Sequence, residues 1–144
     1  FEVVKKFSDA GVCCGVNIDP IMPLITDSDQ EIEAVVRTCK DAGLRHVFGA
    51  LLRLREDIWQ RVKLMLRLLE TPDGINGYKE IYGIDERSDS SYITANSIYA
   101  KKITSRLQRI VNNHKMTTHF PEYMCPRRID RSWLGQTTLQ SYLV

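Results

Sequence analysis

The stretch from Gly11 to Leu54, GVCCGVNIDPIMPLITDSDQEIEAVVRTCKDAGLRHVFGALLRL, decides the fold. Val12, Cys14, Val16 and Ile18 alternate with Cys13, Gly15, Asn17 and Asp19. A period of two puts the apolar set and the small or polar set on opposite faces of a strand. Pro20 and Pro23 are expected to end it, because proline donates no hydrogen bond to a ladder. Thr26, Asp27 and Ser28 offer helix caps, and Ser28 with Glu31 fits a capping box. Ile32, Val35, Val36 and Cys39 then recur at the spacing of an amphipathic helix. Gly43 is the natural C-cap, and His46 to Leu54 reads as a second strand. The whole is one strand–helix–strand unit.

The residues before this stretch repeat part of it. Val3, Val4 and Phe7 lie opposite Glu2, Lys5 and Lys6, as on a helix that ends Ser8-Asp9-Ala10-Gly11. The next helix ends Lys40-Asp41-Ala42-Gly43, its glycine 32 residues later (43 − 11). A helix–turn–strand unit repeated at this period is what a parallel α/β fold produces, open or barrel. Two parallel strands alone leave bare edges and an uncovered face. The chain is therefore expected to be the C-terminal part of a longer protein, which self-associates or is completed by a missing N-terminal part. The alternative is a small independent α/β domain.

The strand faces locate a candidate site. Cys13, Gly15, Asn17 and Asp19 leave room and offer hydrogen bonds, whereas a packed barrel lumen favours Val, Ile or Leu. Asn17 and Asp19 lie near the C-terminal end of the strand, where α/β folds build their sites. In the second strand Gly49, Leu51 and Arg53 are assigned to one face. Arg53 either meets a ligand or pairs with Asp19, Glu56 or Asp57.

Residues 1–70 hold these units and a helix from Arg55 to Glu70, striped with Ile58, Val62, Met65, Leu66 and Leu69 beside Trp59. Residues 71–91 read as turns and a polar linker, with a short helix or ordered loop at Tyr78 to Gly83. Residues 92–144 read as a helical, basic extension. A helix is expected from about Tyr92 to His114, with Tyr99, Ile103, Leu107, Ile110 and His114 inward and His114 as a cap. From Met116 the helical pattern breaks, and Pro121 and Pro126 exclude a continuous helix.

Composition narrows the function classes. The net charge of +2 is uneven: residues 1–98 carry 12 Lys/Arg against 16 Asp/Glu, and residues 99–144 carry 8 against 2. A basic C-terminal third can attract nucleic acid. Arg127, Arg128 and Arg131 cluster near Trp133, which can stack on a base or fold onto the core. Cys13, Cys14, Cys39 and Cys125 have neither disulfide rhythm nor metal-site spacing, so reduced thiols of a cytoplasmic protein are expected, with no metal ligands. His119 and Cys125 lack partners for a zinc site. No apolar run approaches the roughly 20 residues that span a bilayer. No nucleotide-loop, nucleophile-elbow or metalloprotease motif occurs.

The segments GVNIDPIMPLITDSDQEIE, DAG and GALLRL resemble the last two strands of a radical S-adenosylmethionine barrel. The resemblance is to the branch with spore photoproduct lyase and DNA repair photolyase-like proteins. It covers residues 1–60 and is weaker around Tyr78 to Gly83 and after Tyr92. The family's C-x3-C-x2-C motif, which holds a 4Fe-4S cluster, is absent from this chain. The resemblance implies the C-terminal part of a parallel barrel from an iron–sulfur enzyme. Such an enzyme cleaves S-adenosylmethionine reductively to abstract hydrogen from a substrate, DNA in the lyase itself. It implies no catalytic residue and no bound cofactor in this chain alone, with Asn17, Asp19 and Arg53 near the cofactor or substrate. The alternative is a non-catalytic nucleic-acid-binding or interaction domain that uses the basic C-terminal third.

Overall fold

The computed structural model describes residues 1–71, 73–84 and 92–119. Their order is α1 (Glu2–Asp9), β1 (Gly15–Ile21), α2 (Asp29–Asp41), β2 (His46–Leu51), α3 (Glu56–Leu68), α4 (Gly74–Tyr82) and α5 (Ser97–Asn113). This is an α/β arrangement around a parallel pair, β1–β2.

Four helices share one termination: α3 ends in it at Glu70 (φ 48°) and leads on to α4, whereas the other three lead into ladder hydrogen bonding. After α1, the N–H of Gly11 donates to the Ser8 carbonyl at 2.9 Å and that of Val12 to Phe7 at 2.9 Å. After α2, Gly43 donates to Lys40 at 2.8 Å and Leu44 to Cys39 at 3.0 Å; after α5, Lys115 donates to Asn112 at 2.9 Å and Met116 to Val111 at 3.1 Å. Each is a Schellman turn, which needs a left-handed residue just past the helix. Gly11, Gly43 and Lys115 hold φ of 81°, 80° and 59°. Each of these three turns releases the chain into parallel ladder hydrogen bonding. Gly15 pairs with His46 in the β1–β2 ladder, and His46 forms a parallel bridge with Thr117 on its other side. The third unit escapes sequence reading because Lys115 occupies the place that glycine marks in the first two.

The strand boundaries correct two expectations. Pro20 does not end β1. The ladder pairs Ile18 with Gly49 and then Ile21 with Leu51, so one extra residue on β1 makes a bulge that accommodates the proline. In β2, Gly49 and Leu51 belong to the helix-covered face. A side chain at Gly49 would meet Leu107 Cδ2 at 2.8 Å, and Leu51 packs on the core. Period two then gives His46, Phe48 and Ala50 to the other face, where His46 is buried with its Nδ1 2.9 Å from the His119 carbonyl and Ala50 is exposed. A one-residue phase error turns every side chain over.

The main core lies on one side of the sheet. Ile32, Val36 and Cys39 of α2 meet Ile103, Leu107, Ile110 and Val111 of α5 over Ile21 and Val47. Val35, expected inward, is 37% exposed. Ser28 caps α2 by accepting from the Glu31 N–H at 3.2 Å, and its hydroxyl donates to Glu31 Oε2 at 3.1 Å. α5 starts at Ser97 rather than Tyr92, because Asn96 caps it through the Tyr99 N–H at 2.9 Å. Ile93 is held instead in an antiparallel bridge to Leu54.

A second core sits at the C-terminal ends of the strands. There α3 and α4 bury Trp59, Val62, Leu66, Tyr78, Ile81 and Tyr82 against Met22, Ile25, Leu52 and Ile93. Trp59 rather than Leu69 centres the α3 face; Leu69 is 56% exposed. Tyr78 lies between Trp59 and Tyr82, with ring centroids 5.8 and 5.6 Å away. The Tyr82 hydroxyl donates to the Leu52 carbonyl at 2.6 Å and ties α4 to the segment after β2.

The turns give a prediction of opposite signs. Gly43→Ala should cost about 1–2 kcal/mol, because a side chain in the left-handed region is strained and its Cβ would lie 2.9 Å from Ser8 Oγ. Lys115→Gly should instead raise stability by up to about 1 kcal/mol. Urea unfolding checks both, and equal losses from the two changes would show that the turns are not equivalent.

Candidate ligand site at the C-terminal ends of the strands

Gly15, Asn17 and Asp19 are exposed on the face of β1 opposite α2 and α5. Asn17 pairs with Phe48 across the ladder, and its amide Nδ2 donates to Asp19 Oδ2 at 3.4 Å. The amide and carboxylate thus present donors and acceptors side by side. Sequence reading missed His46, Phe48 and Ala50 as their neighbours. Two half-apolar phases compete in β2, and the packing of Val47 and Leu51 on the core with the close approach of Leu107 to Gly49 separates them.

Arg53 lies apart from this pair. It is exposed two residues beyond β2, with its guanidinium carbon 5.6 Å from the Tyr92 ring centroid. Among the described residues it forms no ion pair with Asp19, Glu56 or Asp57. Asp57 is taken by Arg55, whose Nε and Nη2 donate to its two carboxylate oxygens at 2.6 and 2.9 Å. That fork holds the Asp57 carboxyl below its usual range. Arg55 also lies 5.6 Å from the Tyr92 ring centroid, so one exposed aromatic ring is shared by two cations.

The loop that follows β1 is fixed from below. The buried Asp27 accepts from the Tyr99 hydroxyl, and its carbonyl accepts from Arg106. Arg106 Nε also meets Asp29 at 2.6 Å, and Arg109 pairs with the same carboxylate. Burial and the Asp27 carboxylate push the Tyr99 phenol upward. These arginines are structural links between α5 and the start of α2. His114 caps α5 as expected and also pairs through Nε2 with Glu33.

The described cysteines do not form a cluster site. Cys39 is buried in the main core, and burial raises its thiol pKa. Cys13 and Cys14 are half-buried before the first residue of β1. About five residues at roughly 3.3 Å each separate them from Asp19 along the strand. Among the described residues, no group of three or more His, Cys, Asp or Glu can hold a metal ion. No helix among them is long and apolar enough to cross a membrane. Cys125 and the proposed nucleic-acid contacts Arg127, Arg128, Arg131 and Trp133 lie outside the described residues.

Comparisons with protein-family models, curated proteins and solved structures find no match.

The Asp27 network yields a prediction. Asp27→Ala removes the acceptor of the Tyr99 hydroxyl and should cost about 1–3 kcal/mol, the penalty for orphaning a buried polar group. Hydrogen exchange should accelerate from Met22 to Ser28 before it accelerates in α4. Uniform acceleration would show that Asp27 serves the whole fold and not this loop.

Proposed function

We propose that the chain is the C-terminal part of a radical S-adenosylmethionine enzyme of the DNA repair photolyase-like branch, acting in the cytoplasm. The observation that carries this reading is the open strand face bearing Asn17 and Asp19. In a parallel α/β fold the C-terminal strand ends are where ligands bind. A face of glycine, amide and carboxylate suits a polar ligand better than it suits a packed lumen. The quoted sequence resemblance supplies the chemical class.

The described residues do not fit an iron–sulfur cluster. Such a cluster needs several thiolates converging on one point. Cys39 is in the core, and Cys13 and Cys14 lie at the end of β1 remote from Asp19. The ligands of a cluster would have to come from elsewhere in the protein. The role left to this chain is to bind and orient. Asn17 and Asp19 suit the hydroxyl and amino groups of S-adenosylmethionine, and Arg53 with Tyr92 suits a carboxylate or ring face at the rim. α3 and α4 would wall the strand ends against water.

Two results are expected. Anaerobic reconstitution of the 144-residue protein should give no stoichiometric iron and sulfide, and a near-stoichiometric cluster would overturn the reading. In the polypeptide that carries the cluster motif, Asn17→Ala and Asp19→Ala should each weaken S-adenosylmethionine binding about tenfold, or roughly 1.4 kcal/mol. Both residues are exposed, so the melting temperature should stay put. Unchanged affinity in both variants would remove this face from the ligand site.

A further inference from the structure

The first helix is amphipathic, yet none of its residues is buried. Its apolar side carries Phe7, 53% exposed, and the chain leaves it through Val12, 49% exposed. The internal repeat shows what these positions do when covered. With Gly11 matched to Gly43, Val4, Phe7 and Val12 correspond to Val36, Cys39 and Leu44, which are 0%, 0% and 3% exposed. Val3 corresponds to Val35, and both are exposed. The repeat therefore marks Phe7 and Val12, and not Val3, as positions awaiting a partner.

The nature of the partner follows from the same comparison. α2 runs between β1 and β2 and covers both strands. α1 has only the strand that follows it, β1, whose second edge pairs with no strand among the described residues. Among the described residues, an unpaired edge beside an apolar helix side on which Val4 packs on the core while Phe7 and Val12 stay exposed has the shape of a missing parallel strand.

We infer that the outer edge of β1 and the apolar side of α1 seat one further parallel β-strand, joined in the same polypeptide to the N-terminus of α1. Its helix-facing residues are aliphatic, as Val16 and Ile18 are beneath α2. A parallel strand on this edge ends where α1 begins, and a short loop then completes a right-handed crossover like β1–α2–β2. A second copy of the chain fits less well. Two β1 edges related by a twofold axis run antiparallel, which leaves each α1 without a strand under it.

The inference rests on the repeat and not on the proposed chemistry. The test compares the 144-residue protein with the natural polypeptide that includes the residues encoded directly upstream of Phe1. In the longer protein, β1 amides pointing away from β2 should exchange at least 100-fold more slowly. Phe7→Asp should lower its melting temperature by several degrees, whereas Val3→Asp should not. In the 144-residue protein both changes should be nearly silent. The inference fails if no coding sequence precedes Phe1. It also fails if the longer protein leaves those amides unprotected, or if Val3→Asp and Phe7→Asp act alike. Concentration-dependent protection in the 144-residue protein alone would assign the edge to a second copy and overturn it. A protected edge in a longer protein without the C-x3-C-x2-C motif would sink the proposed chemistry and leave the strand standing.

Discussion

The structure depends on the left-handed turn that closes a helix and releases a parallel strand. At Gly11, Gly43 and Lys115 the same pair of backbone hydrogen bonds satisfies carbonyls that the helix end would leave bare. The turns also interlock, since the Ser8 hydroxyl donates to the Gly43 carbonyl at 2.8 Å. With the turns in register, β1, β2 and the single bridge at Thr117 lie side by side, and α2 and α5 fall on one face. The core, the open polar face and the end of the sheet available for ligands all follow from that repeat.

The second unit differs from the first by an excursion. Only the segment from Met22 to Ser28 separates β1 from α2, but α3 and α4 intervene between β2 and α5. The excursion builds its own aromatic core, and the Leu54–Ile93 bridge pins its two ends together. It does not disturb the repeat, because α5 still ends in the same turn and returns the chain to the far side of β2. A surface insertion of this kind adds little closure entropy once its ends are held. It can therefore reshape the site end of the sheet without altering the frame beneath.

Much of this frame was legible in residues. The two D-A-G signals, the capping box at Ser28 and Glu31, and the alternation through Val16 and Ile18 each state a local physical requirement. What escaped depended on partners distant in sequence. Lys115 adopts the left-handed conformation without glycine's freedom, so the third turn carries no composition signal. The phase of β2 is set by Val47 and Leu51 packing on the core and by Leu107 leaning on Gly49, about 60 residues away. Pro20 sits in a bulge whose existence depends on the β2 register. The site was legible in part: alternation places Asn17 and Asp19 on one face, but nothing local tells that Arg53 turns to Tyr92.

The most direct test of the account is a nuclear Overhauser map of backbone protons across the sheet. Three parallel units require the contacts of a parallel ladder between Val16 and Val47, and again between His46 and Thr117. Both sets should appear together, with Gly11, Gly43 and Lys115 all showing positive-φ couplings. Antiparallel contacts, or a β2 that meets β1 but not Thr117, would contradict the repeat on which the fold, the open face and the site assignment stand.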